Sequence, residues 1–169
     1  SPSAWAYGGI PRLAGTLARE LVRRGHDVTV CTTDACSDTA RLSSGKAVSS
    51  GFRSWQPHRS AEGIEWRVFP NVSNHLAYHW QLFTPLGLGR YLRDQARTFD
   101  VAHLHACRNF PGAIAATHLR AAGVPYVLAP NGTAPRIERR RLLKQVFDVV
   151  AGRRVLRDAA CVLAVSDAE

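Results

Sequence analysis

Residues 5–25 read WAYGGIPRLAGTLARELVRRG, and this stretch decides the fold. Gly8 and Gly9 let the backbone turn sharply and leave no side chain in the way of a ligand. Pro11 suits the first helical position, where a missing N–H costs nothing. Ile10, Leu13, Ala14, Leu17, Ala18, Leu21 and Val22 then recur at helical spacing and make one apolar face. Gly25 supplies the stop. A helix entered through two glycines offers backbone N–H groups to an anion. A plain tight turn before a surface helix carries the same signature, and a glycine pair by itself does not choose between the two.

Outward from this helix, strands and helices alternate. Residues 26–33 place Val28, Val30 and Thr32 between polar neighbours and predict a strand. Residues 34–62 have no periodicity and predict a long surface loop, of the kind that is usually functional or disordered. Residues 63–69, GIEWRVF, predict a strand with Ile64, Trp66 and Val68 on one face and Pro70 at its end. Residues 75–99 are helical in parts and break near Thr84-Pro85. Residues 101–105, VAHLH, form a short apolar strand. Asn109 caps a helix that Phe110 and Pro111 open and Gly123 closes. Residues 125–129, PYVLA, are a strand followed by a loop at 130–133. Residues 138–158 predict a long basic helix, and ACVLAV at 160–165 the last strand.

Short apolar strands separated by helices indicate a parallel sheet covered on both faces. Right-handed crossovers then give an α/β fold with a doubly wound, mostly parallel Rossmann-like sheet. In such a sheet the loop at Ser1 leaves the end of a first, central strand. A hole there would leave buried backbone groups unpaired. The expectation is that residues before Ser1 belong to the domain, and that the 28–32 and 101–105 strands do not pair with each other. Residues 1–165 are expected to form one domain, with 166–169 opening a linker.

Bulk properties agree with one soluble globular domain: 169 residues, 46% hydrophobic and 21% charged. The net charge is +9, nearly all of it arginine, with lysine only at Lys46 and Lys144. That balance suits an anionic partner such as a nucleotide, a phosphorylated substrate or a lipid headgroup, although compositional bias gives the same count. Cys31, Cys36, Cys107 and Cys161 show neither metal-ligand spacing nor a CxxC, which points to reduced thiols and a cytoplasmic location. No apolar run approaches the ~18 residues of a membrane span. No nucleic-acid motif or aromatic–basic platform is present, so nucleic acid is not an expected partner. A dehydrogenase is disfavoured because no G-x-G-x-x-G follows a strand.

Ligands of open α/β sheets gather where strands end and helices begin. Residues 6–11, 105–109, 130–135 and 166 onward should meet there. They carry two glycine turns, His105, Asn131 and hydroxyls, a set suited to a diphosphate or a sugar rather than a metal. His103 and His105 stand at i, i+2 without an evident third ligand. His103 reads as a buried, hydrogen-bonded histidine and His105 as a candidate for the cleft.

The order PSAWAYGGIPRLAGTLARELVRRGHDVTVCTTD, GIEWRVFP, FDVAHLHA, AAGVPYVLAPNGT, DAACVLAVSDAE resembles the N-terminal domain of a retaining GT-B glycosyltransferase of the group 1, family four type. The resemblance covers nearly the whole chain. It implies transfer of a sugar from a nucleotide-diphosphate sugar to a hydroxyl acceptor, lipid-linked or saccharide, with no cofactor and no required metal. It implies that Gly8 and Gly9 lie under the donor pyrophosphate and beside the acceptor, with Thr133 as a phosphate or sugar contact. It implies that Asn131, Gly132 and Thr133 form a loop in the cleft, and that Ser166 stands at the crossing into a second domain. The family usually has histidine where this chain has Asn131, and asparagine is neither an acid nor a base near neutral pH. The cationic partners of the diphosphate belong to that second domain, so residues 1–169 alone are expected to be inactive. The basic helix is either a packing helix or a peripheral contact with the anionic inner face of a membrane. The rival reading of the whole chain is a non-catalytic Rossmann-like subunit that binds a lipid, a membrane or a partner chain.

Overall fold

The amphipathic stripe of residues 10–22 folds as α1, Gly9–Arg23, with Ala18 buried and most of the other stripe residues half-buried. Gly25 ends it at φ 89°. Its N–H donates to the Val22 carbonyl at 2.9 Å, and the His26 N–H reaches the Leu21 carbonyl at 3.1 Å. This pair of bonds is the one a left-handed glycine makes possible. Pro11 lies in the first turn, two residues later than expected, where its missing N–H still has no intrahelical use. The computed structural model describes residues 9–36, 41, 58–131 and 151–164. The chain divides into two units, Ser1–Gly87 and Leu88–Glu169.

In the first unit β1 (Thr29–Thr33) pairs in parallel with β3 (Glu65–Phe69), from Thr29 opposite Glu65 to Thr33 opposite Phe69. β2 (His58–Arg59) pairs antiparallel with the other edge of β3. It falls inside the stretch expected to be loop, and two residues are too few to leave a period in the sequence. Residues 37–40 and 42–57 of that stretch lie outside the described residues. Ile64 and Phe69 are fully buried. α2 (Asn74–Trp80) is capped by Ser73, whose Oγ accepts the Leu76 N–H at 3.2 Å.

The second unit holds a parallel sheet in the order β4 (Ala102–His105), β5 (Tyr126–Ala129), β6 (Cys161–Val162). α4 (Phe110–Ala122) packs on β4, and α3 (Leu88–Gln95) packs on α4. α5 (Arg153–Arg157) is the described end of the expected basic helix; residues 138–150 of that helix lie outside the described residues. Val155 is buried while Arg153, Arg154 and Arg157 are exposed, so this turn packs one face and solvates its charges. β6 is shorter than the apolar run at 160–165, although the Leu163 N–H still reaches the Leu128 carbonyl at 2.8 Å.

The fold is therefore mixed α/β, with parallel strands and helices in the Rossmann-like manner. Among the described residues each unit holds one three-stranded sheet.

The second unit is fastened from inside. Tyr126 is fully buried and its hydroxyl donates to the Val155 carbonyl at 2.6 Å, tying β5 to α5. Tyr126→Phe removes the donor and leaves that carbonyl unsatisfied in the core. The expected loss is about 1–2 kcal/mol, read as a lower denaturant midpoint at an unchanged slope.

Candidate functional site

β4, β5 and β6 run parallel, so their C-terminal ends share one edge of the sheet. His105 closes β4 directly opposite Ala129, which closes β5. Beyond these two residues the chain turns twice through conformations that side chains disfavour. Ala106 has φ 66° and Asn131 has φ 53°. Non-glycine residues in this region cost of order 1–3 kcal/mol and persist only where neighbouring contacts hold them. Here the holding group is the Ala129 carbonyl. It accepts the Ala106 N–H at 2.9 Å and the Asn131 side-chain amide at 3.0 Å.

The loop between β4 and α4 is fixed by Asn109. Its Oδ1 accepts the Gly112 N–H at 2.5 Å, which caps α4 as expected from sequence. Its Nδ2 donates to the His105 carbonyl at 3.1 Å and the Ala106 carbonyl at 2.9 Å. One side chain thus satisfies both the helix start and the strand end. Gly112 is a glycine for a steric reason: a Cβ there would stand 2.9 Å from the Asn109 Oδ1.

His103 and His105 project from the same face of β4 with their rings stacked, centroids 4.4 Å apart and planes at 17°. Ring nitrogens direct their lone pairs in the ring plane, so near-parallel stacked rings do not converge on one ion. Among the described residues no group of three or more His, Cys, Asp or Glu could hold a metal. Burial, with a smaller contribution from neighbouring His103, pushes His105 down to about 4. Burial also lowers His103. Both rings are neutral at pH 7. The Asn131 Nδ2 stands 3.2 Å from the His105 Nδ1. Two polar atoms, the Asn131 Oδ1 and the His103 Nε2, are buried without a hydrogen-bond partner. A buried, unsatisfied acceptor or donor beside strained backbone is the form in which a ligand site stores its cost.

Of the residues expected at the site, His105 and Asn131 come together here. His103, expected to be buried and hydrogen-bonded, is half-buried with its Nε2 unpartnered. Gly9 opens α1 in the first unit, exposed and with open space where a Cβ would stand. Gly8, Gly132, Thr133 and Ser166 lie outside the described residues.

A second polar knot, in the first unit, has no counterpart in the sequence reading. Asp34 follows β1 and Asn71 follows β3. The Asp34 carboxylate accepts the Asn71 N–H at 2.7 Å and the Arg41 Nη1 at 2.8 Å. The same Arg41 nitrogen donates to the Asn71 carbonyl at 2.9 Å, and the Asn71 Oδ1 accepts the Thr84 N–H at 2.7 Å. Asn71 is fully buried and all of these groups serve one another, so the knot is scaffold rather than an open site. Asparagine straight after Pro70 was the one local sign of a turn.

The chain belongs to the glycosyl transferase 4-like domain family, whose model matches residues 8–169. This agrees with the resemblance to the N-terminal domain of a GT-B glycosyltransferase. No curated protein and no solved structure gives a match. No helix among the described residues is long and apolar enough to cross a membrane.

Asn109→Ala is expected to cost about 1–2 kcal/mol by loss of the cap. Gly112→Ala should act in the same direction, because its methyl group displaces the capping amide. The site also predicts a pH dependence. His105 titrates near 4 in the folded chain against an ordinary 6.5, so between these values the unfolded chain binds more protons. Stability therefore falls as the pH falls through this window. His105→Gln should flatten that part of the profile in a series of denaturant titrations.

Proposed function

We propose that this domain serves the transfer of a sugar from a nucleotide-diphosphate sugar to a hydroxyl acceptor, with the anomeric configuration retained. The observation that carries the reading is the neutral cluster of His105, Asn131 and His103 at the strand ends, in a chain of this family. Uncharged donors and acceptors that lack protein partners suit sugar hydroxyls. They do not suit a free carboxylate or a bare phosphate, which call for cations. In this reading His105 and Asn131 contact the sugar or the acceptor, and neither acts as a general base at neutral pH. Gly132, Thr133 and Ser166 are taken as further sugar or phosphate contacts, as the family resemblance implies.

Gly9 admits the donor diphosphate to the start of α1, where backbone N–H groups and the helix dipole favour negative charge, and Gly8 is the second contact that the resemblance implies. Stabilising the departing diphosphate supplies most of the rate. Its cationic partners come from a second α/β domain, so residues 1–169 alone transfer no sugar. In this reading no cofactor or metal takes part, the acceptor is lipid-linked or a saccharide, and the protein works in the cytoplasm in polysaccharide or glycolipid assembly.

The test is transfer from a panel of nucleotide sugars by the whole protein, with product anomers assigned by NMR. Retained configuration, together with a loss on the order of 100-fold in His105→Ala, supports the reading. Inversion, or full activity in that variant, contradicts it. Gly9→Ala separates binding from folding: stability should stay within about 0.5 kcal/mol, while the KM for the nucleotide sugar rises.

A further inference from the structure

The end of β5 fixes more than the position of His105. The Ala129 carbonyl can only accept a hydrogen bond, so the group 3.0 Å away on Asn131 is the amide nitrogen. The flipped amide would set two oxygens against each other. That nitrogen has a second N–H, and the His105 Nδ1 lies 3.2 Å from it. A ring nitrogen facing an N–H donor must itself be an acceptor. The remaining proton of the neutral ring then sits on Nε2.

We infer that Asn131 is the positioning residue that holds His105 as a neutral ring with its proton on Nε2, so that this rim offers a ligand an uncharged N–H donor. The lock works against both alternatives. Moving the proton to Nδ1 brings two donors face to face, and so does adding a second proton. Rotating the amide to relieve the clash breaks its bond to Ala129. The held ring cannot act as a base through Nδ1, and Nε2 can only donate. The consequence is selective. The donor favours a ligand oxygen with a lone pair, such as a hydroxyl or a ring or bridging oxygen, and it carries no charge that would reward an anion. That consequence rests on the reading of this rim as the sugar-contacting end of the sheet. The lock itself does not.

No other ionisable group in the described surroundings opposes it. On β4 the titratable neighbour is His103, whose charge would push His105 further towards neutrality. β5 contributes Tyr126, which is engaged with Val155. The first two turns of α4 carry no charged side chain, and Arg108 stands in the loop between β4 and α4.

The test is nitrogen NMR of histidine-labelled protein without ligand, which distinguishes a protonated ring nitrogen from an unprotonated one. His105 is expected to show an unprotonated Nδ1 and a protonated Nε2 throughout pH 5.5–8, and to titrate near 4. Asn131→Asp replaces the donor with an acceptor. It should bring a proton to Nδ1 and raise the proton affinity of the ring at least 100-fold, a shift of about 2 pH units. Asn131→Gly suits the positive φ and removes the amide, so both neutral forms should appear. A wild-type ring protonated at Nδ1 would overturn the inference. So would an unchanged nitrogen pattern and titration in both variants. Neither result depends on sugar transfer, so the lock and the transferase reading fail separately.

Discussion

Both lone pairs of one carbonyl, that of Ala129, organise the end of the second sheet. One receives the Ala106 N–H and the other the Asn131 amide. Ala106 is held in a left-handed conformation that alanine does not choose alone, and Asn131 in one that asparagine tolerates. The bends they make bring His105 and Asn131 within hydrogen-bonding distance across 26 positions of chain. Removing the carbonyl's two bonds would free both bends and with them the geometry of the rim. The rest of the unit supports this arrangement. Asn109 fixes the loop that leaves His105, and Tyr126 anchors β5 to α5.

The chemistry follows from where polarity is spent. In the first unit the polar groups at the strand ends satisfy one another through Asp34, Arg41, Asn71 and Thr84. In the second unit they do not. His103 Nε2 and Asn131 Oδ1 are buried without partners, and His105 is kept neutral by its surroundings. A closed polar network gives rigidity. An open one beside strained backbone gives a place for a ligand. Family membership adds the class of reaction to this contrast, since the glycosyl transferase 4-like domain covers residues 8–169.

Much of the architecture was legible because it rests on local rules. The apolar stripe of α1, its glycine stop and the Asn109 cap are written within a few residues, and each appears in the structure. The parallel strands at 29–33 and 65–69 follow from alternation of apolar and polar residues, and those at 102–105 and 126–129 from short apolar runs beside helices. What stayed illegible is long-range. β2 is too short to carry a period. Asp34 meets Asn71 across 37 positions, and nothing near either residue announces the other. Ala106 is an unlikely residue for a left-handed turn; the Ala129 carbonyl that accepts its N–H and the Asn109 amide that donates to its carbonyl hold it there. His105 could be singled out from its place at a strand end, but its protonation depends on a partner that sequence spacing does not reveal.

The strand ends of the second unit are proposed to receive a sugar oxygen through neutral groups. A crystal structure of the whole protein with a nucleotide sugar or a hydroxyl acceptor bound tests it most directly. The expected result is a ligand oxygen within about 3.2 Å of the His105 Nε2, with the Asn131 amide still joined to the Ala129 carbonyl. A bound sugar that leaves His105 and Asn131 untouched, or a ligand carboxylate paired with a charged His105, would contradict it.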